Sequence, residues 1–162
     1  MSEDNITTAL EWRFYIGTTA AAANQSQFEA DSYTEVDPVE DMGEFGDQFE
    51  DVTFTPLKSG RVTHLKGAKD GNVISLVVGR DPLDAGQQAL DAAHATKFTY
   101  NVKVVAADAQ NANYTDSVFY FRAKVMSKRH NVGNASNVVR NTYMIGINSD
   151  ILEIPSEFVT SP

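Results

Sequence analysis

The sequence predicts a mainly β protein with one helix and one long connection, and three observations carry that expectation. The first is alternation with a period of two, which marks strands with one buried face. Trp12, Phe14 and Ile16 alternate with Arg13 and Tyr15; Phe98, Tyr100, Val102 and Val104 with Thr99, Asn101 and Lys103; Phe119, Phe121, Ala123 and Val125 with Tyr120, Arg122 and Lys124. The second is a single stretch with helix-start chemistry, Asp81-Pro82-Leu83-Asp84. The third is the segment from Pro38 to about Lys69, which carries Gly43, Gly46, Gly60 and Gly67 and is too long for an idle connection.

In chain order, the first strand is expected at Trp12–Ile16 and a weaker one at Tyr33–Val36, with Tyr33, Glu35 and Asp37 on one face. Within the long connection only Val52-Thr53-Phe54-Thr55 is strand-like. Its apolar residues, Met42, Phe45, Phe49, Phe54, Leu57 and Leu65, argue against simple disorder and for docking on something. Val73–Val78 is apolar on both faces and reads as a central strand. Asp81 as cap, Pro82 at the first helical position and Asp84 in the first turn predict a helix from Pro82 to about Ala95, with Leu83, Leu90 and Ala93 on one face. Strands follow at 98–105, 117–127 and 137–147, the last with Val139, Asn141, Tyr143, Ile145 and Ile147 on one face. Asp70-Gly71 and Asn131–Asn134 are turn signals.

Length and composition bound the rest. The chain of 162 residues is one ordinary domain long, contains no cysteine and carries a formal net charge of −9. That excludes a disulfide framework, a thiolate zinc site and a cysteine nucleophile. An acidic balance is the wrong sign for gripping a nucleic-acid backbone. The polar start Met1-Ser2-Glu3-Asp4-Asn5 is not a signal peptide, so cytoplasmic synthesis is expected. The charge is divided along the chain. Up to Leu57 there are thirteen acidic residues against Arg13, net −12; from Lys58 onward there are nine acidic and twelve basic, net +3. Ten of the acids fall between Glu29 and Asp51, and Lys58, Arg61, Lys66 and Lys69 follow directly. One reading is two solvated loops of opposite charge. The other is two complementary patches, suited to head-to-tail contact between copies.

No catalytic constellation is present. There is no phosphate loop and no GxSxG, and His64, His94 and His130 lie far apart. Glu40, Asp41, Glu44 and Asp47 lack the ligand order of an EF-hand. Four sequons, at Asn5, Asn24, Asn113 and Asn134, are ordinary in a polar chain. No enzyme activity, metal or cofactor is expected. Trp12 could stack on a sugar, but its place in the Phe14 and Ile16 alternation assigns it to the core.

Several stretches together resemble the major tail tube protein of long, non-contractile (siphovirus-like) phage tails and of related gene transfer agents. They are Val39-Glu-Asp-Met-Gly-Glu-Phe-Gly46, Val52-Thr-Phe-Thr-Pro-Leu57 with Gly60-Arg-Val-Thr-His-Leu-Lys-Gly67, and Ser75-Leu-Val-Val-Gly-Arg-Asp-Pro82. Phe121-Arg-Ala-Lys-Val-Met-Ser127, Asn131-Val-Gly133 and Ile145-Gly-Ile-Asn-Ser149 close the pattern, which covers roughly residues 8 to 155 in order.

The resemblance implies a two-sheet β-sandwich, barrel-like, with one flanking helix (about 82–95) and a long loop (about 38–69), the whole of 1–162 forming a single tail tube domain. Residues 1–7 and 156–162 would be flexible or inter-subunit arms. Such subunits form homohexameric rings whose inner strands pair into one barrel, and the rings stack into a hollow tube whose acidic lumen conducts DNA during ejection. The long loop reaches the adjacent ring. The protein would then reside in the virion tail, with itself, the tape measure, the tail terminator and distal tail proteins as partners. DNA would pass through the lumen without specific binding, and no membrane is involved. Glu35, Asp37, Glu40 and Asp116 are the expected lumen-lining residues. The expected contacts between rings or subunits are Met42, Glu44, Phe45, Asp47, Phe49 and Phe54, together with Lys58, Arg61, Lys66 and Lys69. Alternatives are another ring-forming component, such as a tail completion or distal tail protein, or a β-sandwich module that binds carbohydrate or another ligand.

Overall fold

The computed structural model describes residues 6–159. The terminal positions 1–5 and 160–162 of the two expected arms lie outside the described residues. The strands in chain order are β1 (Arg13–Ile16), β2 (Thr34–Val36), β3 (Val39–Asp41), β4 (Gln48–Phe54), β5 (Thr63–Asp70), β6 (Val73–Gly79), β7 (Tyr100–Val105), β8 (Val118–Asn131), β9 (Arg140–Ile147) and β10 (Leu152–Ile154). The helices are α1 (Gln25–Ala30) and α2 (Ala85–His94).

The main sheet runs β2-β1-β7-β8-β9-β6-β3, with β10 beside β8, and every pairing in it is antiparallel. β8 joins two layers. Val118–Ala123 pairs with β7, and from Ala123 to Asn131 the strand pairs with β9. The alternation seen in the sequence sets which side chains point inward. Phe14, Val102 and Phe121 from one layer meet Leu76, Tyr143 and Ile145 from the other in a single core. The two ends of the strand path, β2 and β3, are separated in the chain by Asp37 and Pro38 alone, so the sheet must curl back on itself. That is the barrel-like sandwich expected.

Helix α2 packs against β8, β2 and β1, with Leu90 and Ala93 buried in the core. It begins at Ala85, three residues later than the sequence predicts. Asp84, not Asp81, is the N-cap, and its side chain accepts the Gln87 N–H at 3.0 Å. Asp81 instead makes a turn, accepting the Leu83 N–H at 3.0 Å. Leu83, expected on the buried face, is therefore outside the helix and 87% exposed. The helix start is tied to the corner that closes the sheet. The Gln87 amide donates to the carbonyls of Asp37 (3.0 Å) and Gly79 (2.8 Å), and the Asp37 N–H donates to Asp84 (3.1 Å). Gly86 sits so close to β2 that a Cβ there would collide with the Glu35 carbonyl.

A second helix, α1, was not expected. Asn24 caps it, accepting from the Gln27 N–H at 3.0 Å, and its one buried residue, Phe28, stacks 5.4 Å from Tyr120. The excursion that carries α1 covers the outer face of β8. It is held by Asn101, which is fully buried and donates to Ala20 and Asp31. Arg122 completes the network through Asn101 (3.2 Å) and the carbonyls of Thr99 (2.9 Å) and Thr19 (3.2 Å). Residues 156–159 run along 113–117, where Phe158 bridges and packs on Tyr114.

Candidate functional site

The expected loop over 38–69 is instead β3 followed by a β-hairpin, β4–β5, in a sheet of its own. We call this hairpin the arm. Every residue of β4 is exposed, as is every residue of β5 except Gly67. A two-stranded hairpin with no third strand or helix packed on it is marginal in water, and among the described residues this one has none.

Register divides the arm into two unlike faces, because directly opposed residues share a face. Val52 opposes Leu65 and Phe54 opposes Thr63. This face is apolar and bare, with Val52 at 43%, Leu65 at 52% and Phe54 at 59% exposure. On the other face Asp51 opposes Lys66 and Thr53 opposes His64. His64 Nδ1 lies 3.0 Å from the Asp51 carboxylate, and the Lys66 ammonium sits 4.8 Å above the Phe49 ring. At the root, Lys69 bonds Asp150 at 2.8 Å and Asp47 at 3.3 Å. Those two hydrogen bonds raise its pKa and hold the ammonium charged.

The expected contact residues thus separate into groups. Asp47, Phe49, Lys66 and Lys69 are engaged within the arm and its root. Phe54 is free on the apolar face. Lys58 and Arg61 sit at the tip, in no ion pair among the described residues. Met42 and Phe45 are half-buried against the core, with Phe45 edge-on to Phe119 at 5.3 Å, and Glu44 is exposed beside them.

Of the expected lumen residues, three come together. Glu35, Asp37 and Asp116 line one open cleft of about 610 Å³, joined there by Glu11. Asp116 is bound by Arg13 at 3.2 Å and accepts the Ala109 N–H at 3.0 Å, so it also fixes a loop. Glu40 lies apart on β3, hydrogen-bonded to Arg140 of β9. Trp12 is half-buried and stacked on Phe119 at 6.1 Å, in keeping with a core position.

Two further features escaped the sequence reading. The layer β8-β9-β6-β3 has an outer face free of any helix among the described residues. Met126, Arg129, Met144 and Val73 lie on it, beside Lys124 and Arg140, whose alternation was legible. The same layer ends in two open edges. Beyond Ala123, β8 pairs only with β9, and β3 pairs only with β6, among the described residues. Open edges invite pairing with another chain. The β8 edge carries Lys124, Lys128, Arg129 and His130, and the β3 edge carries Glu40 and Asp41. Among the described residues no cluster of His, Asp and Glu is arranged to hold a metal ion, and no helix is long and apolar enough to cross a membrane.

No family model matches the sequence, and a comparison with curated proteins finds no match. Solved structures do match. The chain is similar to a protein in the SPP1 tail tube, with a TM-score of 0.64 and 14% identity over 94% of this chain and 81% of that one. It is similar to a protein in the six-fold symmetrised baseplate of the anti-feeding prophage, with a TM-score of 0.66 and 14% identity over 96% and 98% of the two chains. A third likeness is to a chain of the PVC extracellular contractile injection system, from its sheath/tube terminator in the extended state (TM-score 0.66, 7% identity, 92% and 96% covered). At these identities what is shared is the fold, and over nearly its whole length the chain has the fold of a tail tube protein.

Proposed function

We propose that the protein is the structural subunit of a phage tail tube, without enzymatic activity. Copies close into a homohexameric ring, rings stack into a hollow tube, and DNA passes along the lumen during ejection. The observation that carries this reading is the arm, a hairpin exposed on both sides whose Val52–Leu65 and Phe54 face has nothing to bury it. The likeness to the SPP1 tail tube and to the six-fold symmetrised baseplate supports it.

Ring closure follows from the two edges. The open edge of β8 in one copy pairs with the open edge of β3 in the next, continuing the layer around the ring. The open face of that layer then lines the lumen. Glu40 is the one expected lumen acid on that face, where it neutralises Arg140. Glu35, Asp37 and Asp116 belong to the other layer. The wall is then mixed in charge, because Lys124 and Arg129 stand on the same face without an ion pair among the described residues. In a tail the subunit would meet tape measure, terminator and distal tail proteins at the ends or inside the tube, and it would be made in the host cytoplasm.

Stacking is assigned to the arm. The Lys58→Glu/Arg61→Glu variant should remain a folded protein by circular dichroism and fail to grow tubes in negative-stain electron microscopy. Normal tubes from that variant would remove the tip from the stacking contact.

A further inference from the structure

If the arm docks on another copy it needs a receptor, and the surface offers a cleft whose chemistry mirrors the arm tip. Between residues 7–12 and 39–45 lies an open cleft of about 640 Å³. Its floor is apolar, made by Trp12, Met42, Phe45 and Phe119. Trp12 stacks on Phe119 at 6.1 Å and Phe45 meets the same ring edge-on at 5.3 Å, so the floor is fixed by core packing. Its rim is acidic, with Asp41 and Glu44 exposed; the third acid there, Glu40, is held by Arg140.

The tip is the counterpart. The Gly60 N–H donates to the Pro56 carbonyl at 2.9 Å and closes the turn. That turn thrusts Leu57 fully into solvent, at 104% exposure, beside the cations Lys58 and Arg61. The tip is an apolar knob with two cations in no ion pair among the described residues; the cleft has an apolar floor rimmed by Glu44 and by Asp41, whose Oδ1 also accepts the Gly43 N–H at 2.7 Å. Desolvating the knob supplies affinity, and the charges supply orientation.

We infer that the arm tip of one copy seats in the 7–12/39–45 cleft of another copy. This rests on the tube reading and names the receptor that it requires. The arm cannot reach its own cleft. Phe45 lies at the root of the arm, and the seven residues of β4 carry the tip roughly 23 Å away at about 3.3 Å per residue. Knob and cleft are different surfaces, so the contact is heterologous, the kind that can repeat from copy to copy along a stack.

The chain has no cysteine, which makes the test clean. Leu57→Cys and Met42→Cys proteins, mixed under assembly conditions and oxidised, should give a disulfide-linked dimer of one of each on a non-reducing gel. The double variant should give a ladder that collapses with reductant. Glu44→Cys, on the exposed rim, replaces Met42→Cys should the half-buried position disturb folding. Electron microscopy of the same samples separates two failures. Tubes without crosslinks overturn the cleft as receptor and leave the tube reading standing; neither tubes nor crosslinks overturn both. A crosslink between Ser2→Cys and Met42→Cys within a monomer would give the cleft to the chain's own N-terminus and equally overturn the inference.

Discussion

Asp51 on β4 and Lys66 on β5 stand directly opposite one another across the arm. The acidic and basic stretches that divide the sequence are thus, in part, two strands of one hairpin. Part of the charge split is met inside the molecule, through Lys69–Asp47 and His64–Asp51. Lys58 and Arg61 at the tip are in no ion pair among the described residues, and the Val52, Phe54 and Leu65 face is bare. Exposed ion pairs contribute only about 0–1 kcal/mol each, so the apolar face carries more of the proposed stacking energy than the charges do.

Phe54→Asp should separate folding from assembly. The side chain touches no core, so the unfolding free energy should stay within about 0.5 kcal/mol of wild type. Pelleting of assembled material by ultracentrifugation should drop to background. A variant that unfolds, or one that pellets as wild type does, would contradict the placing of Phe54 on an interface.

Gln87 is 3% exposed and holds the corner where the sheet closes. Gln87→Leu keeps the volume and strands the carbonyls of Asp37 and Gly79. It should lose about 1–3 kcal/mol in urea unfolding, the cost of buried acceptors left without donors. An unchanged urea midpoint would mean that the corner does not depend on this side chain.

Leu90 plugs the core from α2 and is fully buried. Leu90→Ala should cost about 2–5 kcal/mol, through lost burial and the cavity left behind. A loss under 1 kcal/mol on thermal unfolding would indicate that the helix is not the lid of this core.

Asp91 ties α2 to β8 and β9. Tyr143 donates to it at 2.7 Å and the Lys128 ammonium lies at 2.8 Å, with His130 also near on β8. Burial pushes the Asp91 carboxyl up, but the bonds from Lys128 and Tyr143 outweigh it and the net pKa is lowered from 3.8. A lowered native pKa stabilises the fold fully above the unfolded value, and the gain is lost as pH falls through the native value. Asp91→Asn should therefore be less stable than wild type at pH 7, with the gap closing below about pH 4. Urea midpoints at pH 7 and pH 3 decide it; an equal gap at both would show that the carboxylate's charge is not involved.

The strands that build the core were legible because each has one buried face. Phe14 and Ile16, Val102 and Val104, Phe121 and Ala123, and Tyr143 and Ile145 all point inward as their alternation requires. The helix was legible, but its start was not, because Asp81 and Asp84 both carry cap chemistry and only Asp84 also meets the Asp37 N–H. Helix α1 left one buried side chain, Phe28, which is too little for periodicity to register. The arm was read as a loop for a related reason. It has no buried face within the monomer, and its alternation runs only from Asp51 to Phe54 before a proline and a glycine-bounded tip. Composition disclosed its acids and bases, but only register reveals that Asp51 and Lys66 lie opposite one another. Glu35, Asp37 and Asp116 share a cleft that no local pattern encodes, while Glu40 lies on the other layer.

Self-assembly is the property that separates a tube subunit from its alternatives. Negative-stain electron microscopy of the purified wild-type protein, concentrated and left to assemble, tests it most directly. The account predicts long hollow tubes of stacked rings. Single rings that never stack would contradict it in favour of another ring-forming tail component, and a protein that stays monomeric at every concentration would contradict it altogether.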